Sequence, residues 1–408
     1  MENPLLVEGS SVSLTQYPFS AVQRAFFSYA YEHHRPVAAW RLPHQPQQHV
    51  ITDLTGSGDL PNLPLELLPV GFVTHPFQEQ RPAAFIRADV HYTSGKDSPS
   101  WTDTPDEATQ AAWHSIENYL TVKPKQSTPY VTAPAPADEN TSHASFVDTV
   151  AKAVQAIEAG QVHKVVPSRR KSTVLSASFD LTVAFQQLCD AYPAAFVSVF
   201  SIPGVGTWLG ASPEILVSTY RQEGRSMFRT MALAGTQVAQ GQHALKNATW
   251  RQKEIEEQAM VSRYIINCFK QIRLREFEES GPKTVAAGNL LHLQTDFTVD
   301  TEAVNFSDLG STMLRLLHPT SAVCGMPKQS ALNFLQYYEY YDRSFFSGYL
   351  GPVNVEEAAH VFVNLRCMQL LERRALLYAG AGVTVDSEPE KEWAETEMKM
   401  NTLLNVIA

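Results

Sequence analysis

A lysine stands at the head of a valine-rich stretch that otherwise has the character of a buried strand. The stretch HKVVPSRR begins at His163, and Lys164 directly precedes Val165 and Val166. Successive side chains of a strand point to opposite faces, so Lys164 and Val165 lie on different faces. A lysine beside an apolar core either reaches out to water or has a chemical use.

Two predicted helices carry pairs of glutamates on the face that should point inward. In NATWRQKEIEEQAMVSRYIINCFKQI the apolar positions 261, 265, 268 and 272 form a stripe, which extended backwards reaches Glu257 and Glu254. In EKEWAETEMKMNTLLNVI, Glu392 and Glu395 precede an apolar stripe in the same way. Two such helices can supply oxygen ligands to one Mg²⁺, which prefers one or two protein carboxylates, waters and an acidic substrate group. Alternatively, each first turn overhangs the core and these acids are solvated, favoured by the helix dipole.

An arginine and a pair of glycines further along are candidates for binding an anion. In HVFVNLRCMQLL, Arg366 is predicted to share a strand face with Phe362 and Met368. A buried arginine needs a carboxylate partner, which is either a ligand or a structural glutamate. In LYAGAGVTV, Gly380 and Gly382 leave backbone amides bare, so that an anion can approach closely. A bulge or turn would use the same glycines.

One further acid is a candidate proton donor. In TWLGASPEILVS, small residues lead to Glu214, which alternates with Leu216 on one strand face, and Pro213 marks an edge or bulge. Burial would raise the pKa of Glu214 above its ordinary value of about 4.3 and keep it protonated near neutrality. The alternative is an exposed glutamate at a sheet edge.

The elements that must position these groups are strands and helices in irregular alternation. Before a proline-rich connecting loop at 123–142, strand-like runs appear at 37–42, 49–54, 71–77 and 83–92, with a helix around 21–32. After it, strand-like runs appear at 164–174, 195–202, 207–219, 290–297 and 360–371, with helices at 146–160, 250–275 and 388–407. This order favours a largely antiparallel α+β fold over a regular βαβ repeat.

Composition and charge restrict the possible partners. The chain has 408 residues, of which 44% are hydrophobic and 18% charged, which is typical of a soluble globular protein. A formal charge of −10 argues against nucleic acid or an anionic membrane as a partner, so the attraction of any anionic ligand must be local. The most apolar stretch, AFVSVFSIPGVGTWLGA, is interrupted by Pro203, Gly204 and Gly206 and does not predict a membrane span.

The N-terminus and the cysteines predict a cytoplasmic protein. No basic residue precedes Arg24, so the first residues do not have the pattern of a secretory or transit peptide. The four cysteines lie far apart and form neither a CxxC pair nor a tight Cys/His cluster. A disulfide framework or a zinc site is therefore not expected, and a reducing cytosol is.

Taken together, these segments resemble the chorismate-utilising enzymes and, among them, the isochorismate synthases. The matching motifs follow the family's order from about Phe146 to the C-terminus: HKVVPSR, LGASPEIL, LAGT, LLHLQT, LLHPTSAVCGMPK, YDRSFFSGYLG, NLRC, YAGAGV and EKEWAETEMK. The resemblance implies a single large α+β chorismate-binding fold of antiparallel β-sheets flanked by helices. Residues 1–122 would form its variable N-terminal half, 123–142 the connecting loop and 143–408 the catalytic region.

The resemblance also implies a ligand, a metal and a role for each matching residue. The substrate would be chorismate, held with Mg²⁺ in a central cleft of a monomeric, cytoplasmic enzyme of menaquinone or siderophore biosynthesis. Lys164 would activate water for attack at C2 of the ring, and Glu214 would protonate the C4 hydroxyl as it leaves. Metal ligands would be Glu257 and Glu395, supported by Glu254 and Glu392. Carboxylate groups of the substrate would be held by Arg366, Gly380, Ala381, Gly382 and Lys399, and the pocket would be lined by Gly235, Thr236, His292 and Tyr349.

Two departures from the family pattern and several rival functions accompany this interpretation. The family signature KDxxEH is KEIEEQ here, with Gln258 at the usual histidine, and QVAQ follows LAGT where the family often has an arginine. Relatives that use ammonia typically carry glutamine at the position of Lys164, so the lysine implies water as nucleophile. The alternatives are salicylate synthase, which goes on to eliminate pyruvate, anthranilate or aminodeoxychorismate synthase, and a non-catalytic carboxylate-binding relative.

Overall fold

The computed structural model describes residues 13–56, 58–121, 127–136, 139–239, 244–287 and 290–407. Part of the predicted connecting loop, at 123–126 and 137–138, lies outside these ranges, as does the last residue of QVAQ. Among the described residues, no helix combines the length and the apolar character that crossing a bilayer requires.

Two of the predicted helices bury the apolar positions whose periodicity predicted them. Phe146 and Val150 are buried on the helix after the connecting loop, and Val261 and Ile265 are buried on the helix that carries KEIEEQ. The helices are α1 (Phe19–Glu32), α2 (Glu107–Thr121), α3 (His143–Glu158), α4 (Leu181–Ala191), α5 (Ala244–Asn247), α6 (Gln252–Gln271), α7 (Leu309–Leu317), α8 (Lys328–Tyr338) and α9 (Pro389–Ile407).

The strands of the N-terminal part have at most five residues, whereas those of the C-terminal part range from two residues to 14. They are β1 (Val37–Arg41), β2 (Gln48–Thr52), β3 (Gly71–His75), β4 (Ala84–Arg87), β5 (Val90–Thr93), β6 (Ser100–Trp101), β7 (Lys164–Val165), β8 (Ser168–Val174), β9 (Phe196–Ile202), β10 (Gly206–Ser212), β11 (Ile215–Gln222), β12 (Arg225–Val238), β13 (Glu278–Ala287), β14 (Leu290–Asp300), β15 (Gly325–Met326), β16 (Tyr349–Val353), β17 (Ala359–Val363), β18 (Cys367–Leu370) and β19 (Arg374–Gly380).

These strands form two large antiparallel sheets and one small pair. In the described residues, sheet A has the order β6-β5-β2-β1-β9-β10-β18-β19-β8, and sheet B has the order β13-β14-β12-β11-β17-β16-β3-β4. The small pair is β7 with β15, in which Lys164 lies opposite Met326. N-terminal strands are built into both large sheets, because β1 pairs with β9 in sheet A and β3 pairs with β16 in sheet B.

The two sheets pack face to face, and helices cover their outer faces. Aromatic side chains from both sheets meet between them, among them Trp40 and Trp208 of sheet A and Phe72 and Phe362 of sheet B. A second core joins sheet A to α1, α2, α4 and α9, and a third joins sheet B to α3, α6, α7 and α8. The predicted fold class, α+β with antiparallel sheets flanked by helices, is therefore confirmed.

Four segments predicted as single strands are each broken in the middle. The run 83–92 divides into β4 and β5, the run 164–174 divides into β7 and β8, and the other two breaks lie beside site residues. The run 207–219 divides into β10 and β11, with Pro213 and Glu214 at the corner between them. The run 360–371 divides into β17 and β18, and Arg366 between them has a φ of 47°. A left-handed residue interrupts the pleat, so the prediction that Arg366 shares a strand face with Phe362 and Met368 is wrong.

Candidate active site

A cavity opens where sheet B, α6 and α9 meet the ends of β10 and β19. Its space, including the open mouth, totals about 700 Å³. Ten of the residues named from the sequence line it: Glu214, Gly235, Thr236, Glu257, His292, Arg366, Gly380, Gly382, Glu395 and Lys399. The structure thus brings together groups that are widely separated along the chain.

Lys164 lies at the edge of this cavity, one contact behind its wall. Its side chain is fully buried, with a relative exposure of 0%, and its Nζ lies 2.7 Å from Oε1 of Glu257, which lines the cavity. The two atoms are close enough for an ion pair but are poorly aligned for a hydrogen bond, and among the described residues Nζ has no hydrogen-bond partner. The lysine of HKVVPSRR therefore turns inward, toward a carboxylate, and not out to water.

Gly382 leaves the room in which Lys164 and Glu257 meet. A Cβ at this position would lie 2.2 Å from Oε1 of Glu257 and 3.3 Å from Cε of Lys164. No side chain fits there unless the Glu257 carboxylate moves. The glycine is thus required by close approach of a functional group, and the turn alternative does not explain it.

We predict that Gly382→Ala disrupts this arrangement. The added methyl group must displace the Glu257 carboxylate, and misplacement of a reacting group by about 1 Å costs on the order of 10²-fold in rate. The matched control is Gly380→Ala, whose Cβ would lie 3.1 Å from the nearest atom, the carbonyl oxygen of Pro167, and which should lose much less. Steady-state rates of both variants on the substrate proposed below test this, and equal rates for the two would contradict it.

Glu214 is a buried acid held in the protonated form. It lies at the β10–β11 corner, with a relative exposure of 3%, and its backbone carbonyl accepts a hydrogen bond from the N–H of Val363 at 3.0 Å. Burial raises the pKa of Glu214 to about 8, and the positive charges of Lys164 and Lys399 only partly oppose this. A carboxyl group with this pKa is a proton donor at neutral pH.

Arg366 presents to the cavity a guanidinium that forms no ion pair with any described residue. The cavity acids Glu257 and Glu395 pair with Lys164 and Lys399 instead, and within the described part of the chain Arg366 forms no ion pair. Burial lowers its pKa to about 10, opposed by the negative charge of Glu395, so the side chain stays charged near neutral pH. A guanidinium without a structural carboxylate partner is suited to bind the carboxylate of a ligand.

The carboxylates of α6 and α9 do point inward, and lysines compensate them. Burial acts to raise the pKa of Glu257, but the ammonium of Lys164 outweighs it and holds the pKa below its usual value. On α9, Glu395 lies 2.7 Å from Nζ of Lys399, which also donates a hydrogen bond to the carbonyl oxygen of Gly380 at 2.8 Å. Lys399 thereby joins α9 to the glycine segment after β19.

Glu254 and Glu392 have different surroundings from each other. Glu254 forms a capping box at the start of α6, where its Oε2 accepts a hydrogen bond from the N–H of Arg251 at 2.9 Å. Glu392 is buried and paired with Lys253, and its Oε2 has no hydrogen-bond partner among the described residues. Burial, with the charge of Glu395, raises the pKa of Glu392.

His292 offers a hydrogen-bond acceptor inside the cavity. Its Nδ1 donates to the carbonyl oxygen of Gly235 at 2.7 Å, and Oγ1 of Thr236 lies 3.4 Å from the same nitrogen. Burial lowers the pKa of His292 to about 3, so the ring is neutral and its Nε2 carries a lone pair. In the described residues, Nε2 is buried without a hydrogen-bond partner, so a ligand hydroxyl can donate to it.

Besides Lys164, Glu254 and Glu392, two more of the sequence-predicted residues do not line the cavity. Ala381 is buried between Gly380 and Gly382, and its N–H donates to the carbonyl oxygen of Pro167 at 3.1 Å. Tyr349 points away from the site: its ring stacks on His75 of the N-terminal strand β3 and meets His318 edge to face. Ala381 therefore fixes the backbone beside the site, and Tyr349 belongs to a neighbouring aromatic cluster.

The structure adds wall residues that had no assigned role in the sequence. Arg343 is buried and donates to Glu339, to the carbonyl oxygen of Val323 at 2.8 Å and to that of Val166 at 2.7 Å. It is therefore saturated and holds the wall together. The sequence feature that could have identified Arg343 is its position inside the matched motif YDRSFFSGYLG. The apolar part of the wall comes from the motifs HPTSAVCG, FFSG and NLRC: Ala322, Val323, Phe346 and Leu365.

The assembled groups are suited to proton transfer on an anionic ligand. A protonated carboxyl, an unpaired guanidinium and a neutral histidine acceptor face one cavity, and a buried amine lies just behind it. The cations lie at the site itself, so they supply the local attraction that the net charge of the chain does not.

The chain was compared with protein families and solved structures. The family model described as "Chorismate binding enzyme" matches residues 87–408. Isochorismate synthase EntC of Escherichia coli strain K12 is 31% identical over 267 residues, which span 64% of this chain and 66% of that protein. This chain thus spans just under two thirds of the length of that relative. Anthranilate synthase component 1 of Streptomyces coelicolor is 28% identical over 67% of this chain and 55% of its own length.

The comparison of structures agrees with the fold. MenF, the menaquinone-specific isochorismate synthase from Escherichia coli, superposes with a TM-score of 0.74 over 96% of this chain and 92% of that one, at 18% identity. At this identity the likeness shows a shared architecture, in which paired antiparallel sheets are flanked by helices.

Proposed function

This chain belongs to the chorismate-binding enzyme family, and from that premise we propose that it is an isochorismate synthase, which converts chorismate to isochorismate reversibly. Relatives named as isochorismate synthases support this choice, since EntC and the DhbC protein of Bacillus subtilis are 31% and 32% identical to it. The observation that carries the proposal is the pairing of two groups at one cavity, the buried amine of Lys164 and the protonated carboxyl of Glu214.

The reaction moves a hydroxyl group from C4 to C2 of the ring without net oxidation or reduction. In its neutral form Lys164 accepts a proton from a water molecule whose oxygen attacks C2, and Glu214 donates a proton to the C4 hydroxyl, which leaves as water. In the reverse direction the two residues exchange roles. Arg366 and Lys399 hold carboxylate groups of the substrate, and Nε2 of His292 accepts a hydrogen bond from a substrate hydroxyl.

The cavity carboxylates fit the Mg²⁺ that the family implies. Glu257 and Glu395 both line the cavity, and Glu392 adds a buried oxygen that has no partner in the described residues. Two carboxylates, waters and an acidic substrate group are a set that Mg²⁺ prefers, although the described residues contain no cluster of three or more acidic, histidine or cysteine ligands. Bound there, the ion would neutralise charge on the substrate carboxylate. In this structure Glu257 pairs with Lys164 and Glu395 pairs with Lys399, whereas Glu254 caps the start of α6.

We predict that removal of divalent metal abolishes turnover. Metal ions contribute several kcal/mol to such reactions, so chelation should lower the rate by about 10²-fold or more, and added Mg²⁺ should restore it. Glu257→Gln should behave as chelated enzyme does and should not be rescued at ordinary Mg²⁺ concentrations. Full activity of chelated, metal-analysed protein would contradict the metal assignment and leave the acid and base assignments standing.

Product analysis tests the function itself. Purified protein is incubated with chorismate and Mg²⁺, and the products are separated by chromatography. Isochorismate alone supports the proposal. Salicylate with pyruvate would identify a salicylate synthase, anthranilate on addition of ammonia would identify an ammonia-using relative, and unchanged chorismate would indicate a non-catalytic binding protein.

We further propose a cytoplasmic monomer that supplies isochorismate to menaquinone or catechol siderophore synthesis. The buried free thiols of Cys189, Cys268, Cys324 and Cys367 are suited to a reducing compartment. Sedimentation of the purified chain measures its oligomeric state. Growth of a deletion strain on either end product distinguishes the two pathways.

A further inference from the structure

A second pocket lies on the far side of the Glu339–Arg343 pair from the catalytic cavity. Arg343 lines the catalytic cavity, whereas Glu339 lines the second pocket together with Arg170, Tyr341 and the first turn of α3. Its space, including the open mouth, is about 650 Å³. The pocket takes no part in the reaction proposed above.

Arg170 is a buried cation that has no ion-pair partner among the described residues. Its relative exposure is 7%, and its guanidinium stacks over the ring of Tyr341 with 4.8 Å between the guanidinium carbon and the ring centroid. Among the described residues its side chain makes no ion pair and donates no hydrogen bond, whereas its backbone N–H donates to Oγ1 of Thr141 and its backbone carbonyl accepts from the N–H of Thr141. Five donors on a buried guanidinium normally find acceptors, so this side chain has unused binding capacity.

The one carboxylate in the pocket wall does not neutralise Arg170. Both oxygens of Glu339 accept hydrogen bonds from Arg343, at 2.5 and 2.7 Å, and Oε1 also accepts from the hydroxyl of Ser168 at 2.9 Å. The negative charge of Glu339 is therefore balanced on the side of the catalytic cavity. The charge of Arg170 remains uncompensated on the side of the pocket.

The opposite wall is the N-terminal turn of α3, a helix of 16 residues. Its N-cap is Ser142, whose Oγ accepts the N–H of Ser145 at 3.1 Å and keeps its own proton free to donate. The hydroxyl of Ser145 and the positive end of the helix dipole add to this side. Phe146, Tyr338 and Tyr341 complete the wall with aromatic surface.

We propose that this pocket, between Arg170 and the N-terminus of α3, is a second anion-binding site, which takes a small ligand bearing a carboxylate or phosphate group. Arg170 supplies the paired N–H donors, Ser142 and Ser145 supply hydroxyl donors, and the aromatic wall takes an apolar ring where the ligand has one. A free inorganic oxyanion and an aromatic acid would both present a negatively charged group to Arg170, but only the aromatic acid has a ring that can contact the aromatic wall.

Calorimetric titration of the full chain with inorganic phosphate and, separately, with benzoate tests the proposal. At least one anion should bind, and benzoate should bind more tightly where the aromatic wall contributes. Arg170→Met should weaken binding about tenfold or more because the guanidinium is lost while the length of the side chain is kept. Arg366→Met, which removes the catalytic-cavity cation, should leave this binding unchanged.

A second variant keeps the test valid if Arg170→Met does not fold. Ser145→Glu leaves Arg170 and Tyr341 in place but adds a carboxylate at the pocket, and it should also abolish anion binding. Absence of binding by both anions to the wild-type chain, equal affinity in Arg170→Met or Ser145→Glu, or a loss confined to Arg366→Met would overturn the proposal. None of these results depends on whether chorismate is turned over.

Discussion

Replacement of Lys164 is expected to stop isochorismate formation while chorismate still binds. Lys164→Ala removes the only base assigned to the attacking water, and general-base catalysis contributes about 10²–10⁴-fold. The carboxylate-binding groups Arg366 and Lys399 remain in place, so the loss should appear in kcat. Turnover is measured by product chromatography, and binding by calorimetry with chorismate.

The alanine variant also removes the ion-pair partner of a largely buried carboxylate. Loss of one partner of a buried pair costs about 3–5 kcal/mol of stability, so Lys164→Ala requires a folding control. Lys164→Gln supplies it, because a glutamine amide can donate a hydrogen bond to Glu257 but cannot take a proton from water. Lys171→Met, on β8 and 37% exposed, is the matched lysine control and should be fully active. Near-normal turnover by folded Lys164→Gln would remove the base assignment.

Replacement of Glu214 by glutamine is expected to lower kcat by about 10²–10⁴-fold, the usual contribution of a general acid. The carboxyl is neutral below about pH 8, so glutamine matches the shape and charge of its working form. Stability should therefore change little, and thermal unfolding of the variant checks this. Glu390→Gln, at an exposed position of α9, is the matched control.

The pH dependence of the wild-type enzyme tests the same assignment. The acid must carry its proton to act. Ionisation of Glu214 should therefore leave kcat/KM unaffected below pH 8 and should lower it as the pH rises through about 8. Above that pH the decline is about tenfold per unit for one ionisation. Glu214→Gln should lack this alkaline limb. An unchanged limb in the variant would assign it to another group and leave Glu214 without its proposed role.

Periodicity and motif order predicted much of the site, because both depend on residues that are close together in the sequence. The stripe of Val261 and Ile265 on α6 predicted that Glu257 points inward, and it does. The valines after Lys164 predicted a buried strand, and its side chain is fully buried. Both inferences needed only the neighbours of each residue along the chain.

The rest depended on contacts between distant segments. Nothing beside Lys164 in the sequence indicates Glu257 as its partner, since the two lie on different elements, β7 and α6, and meet only in the folded chain. Tyr349 points to His75 because β16 pairs with β3, a register that the sequence does not encode locally. Arg366 adopts a left-handed φ because the flanking strands β17 and β18 belong to different sheets and the chain must turn between them. No glycine stands at this position to indicate the turn in the sequence.

The position of the N-terminal strands limits how the N-terminal part of the chain can evolve. Strands β9 and β16 are buried along their whole length, and β1 and β3 cover their sides. A chain without these partners would expose two apolar edges, each a template for pairing with another molecule and for aggregation. The N-terminal part can therefore change in side-chain identity, but it must continue to supply the strands that cover the edges of β9 and β16.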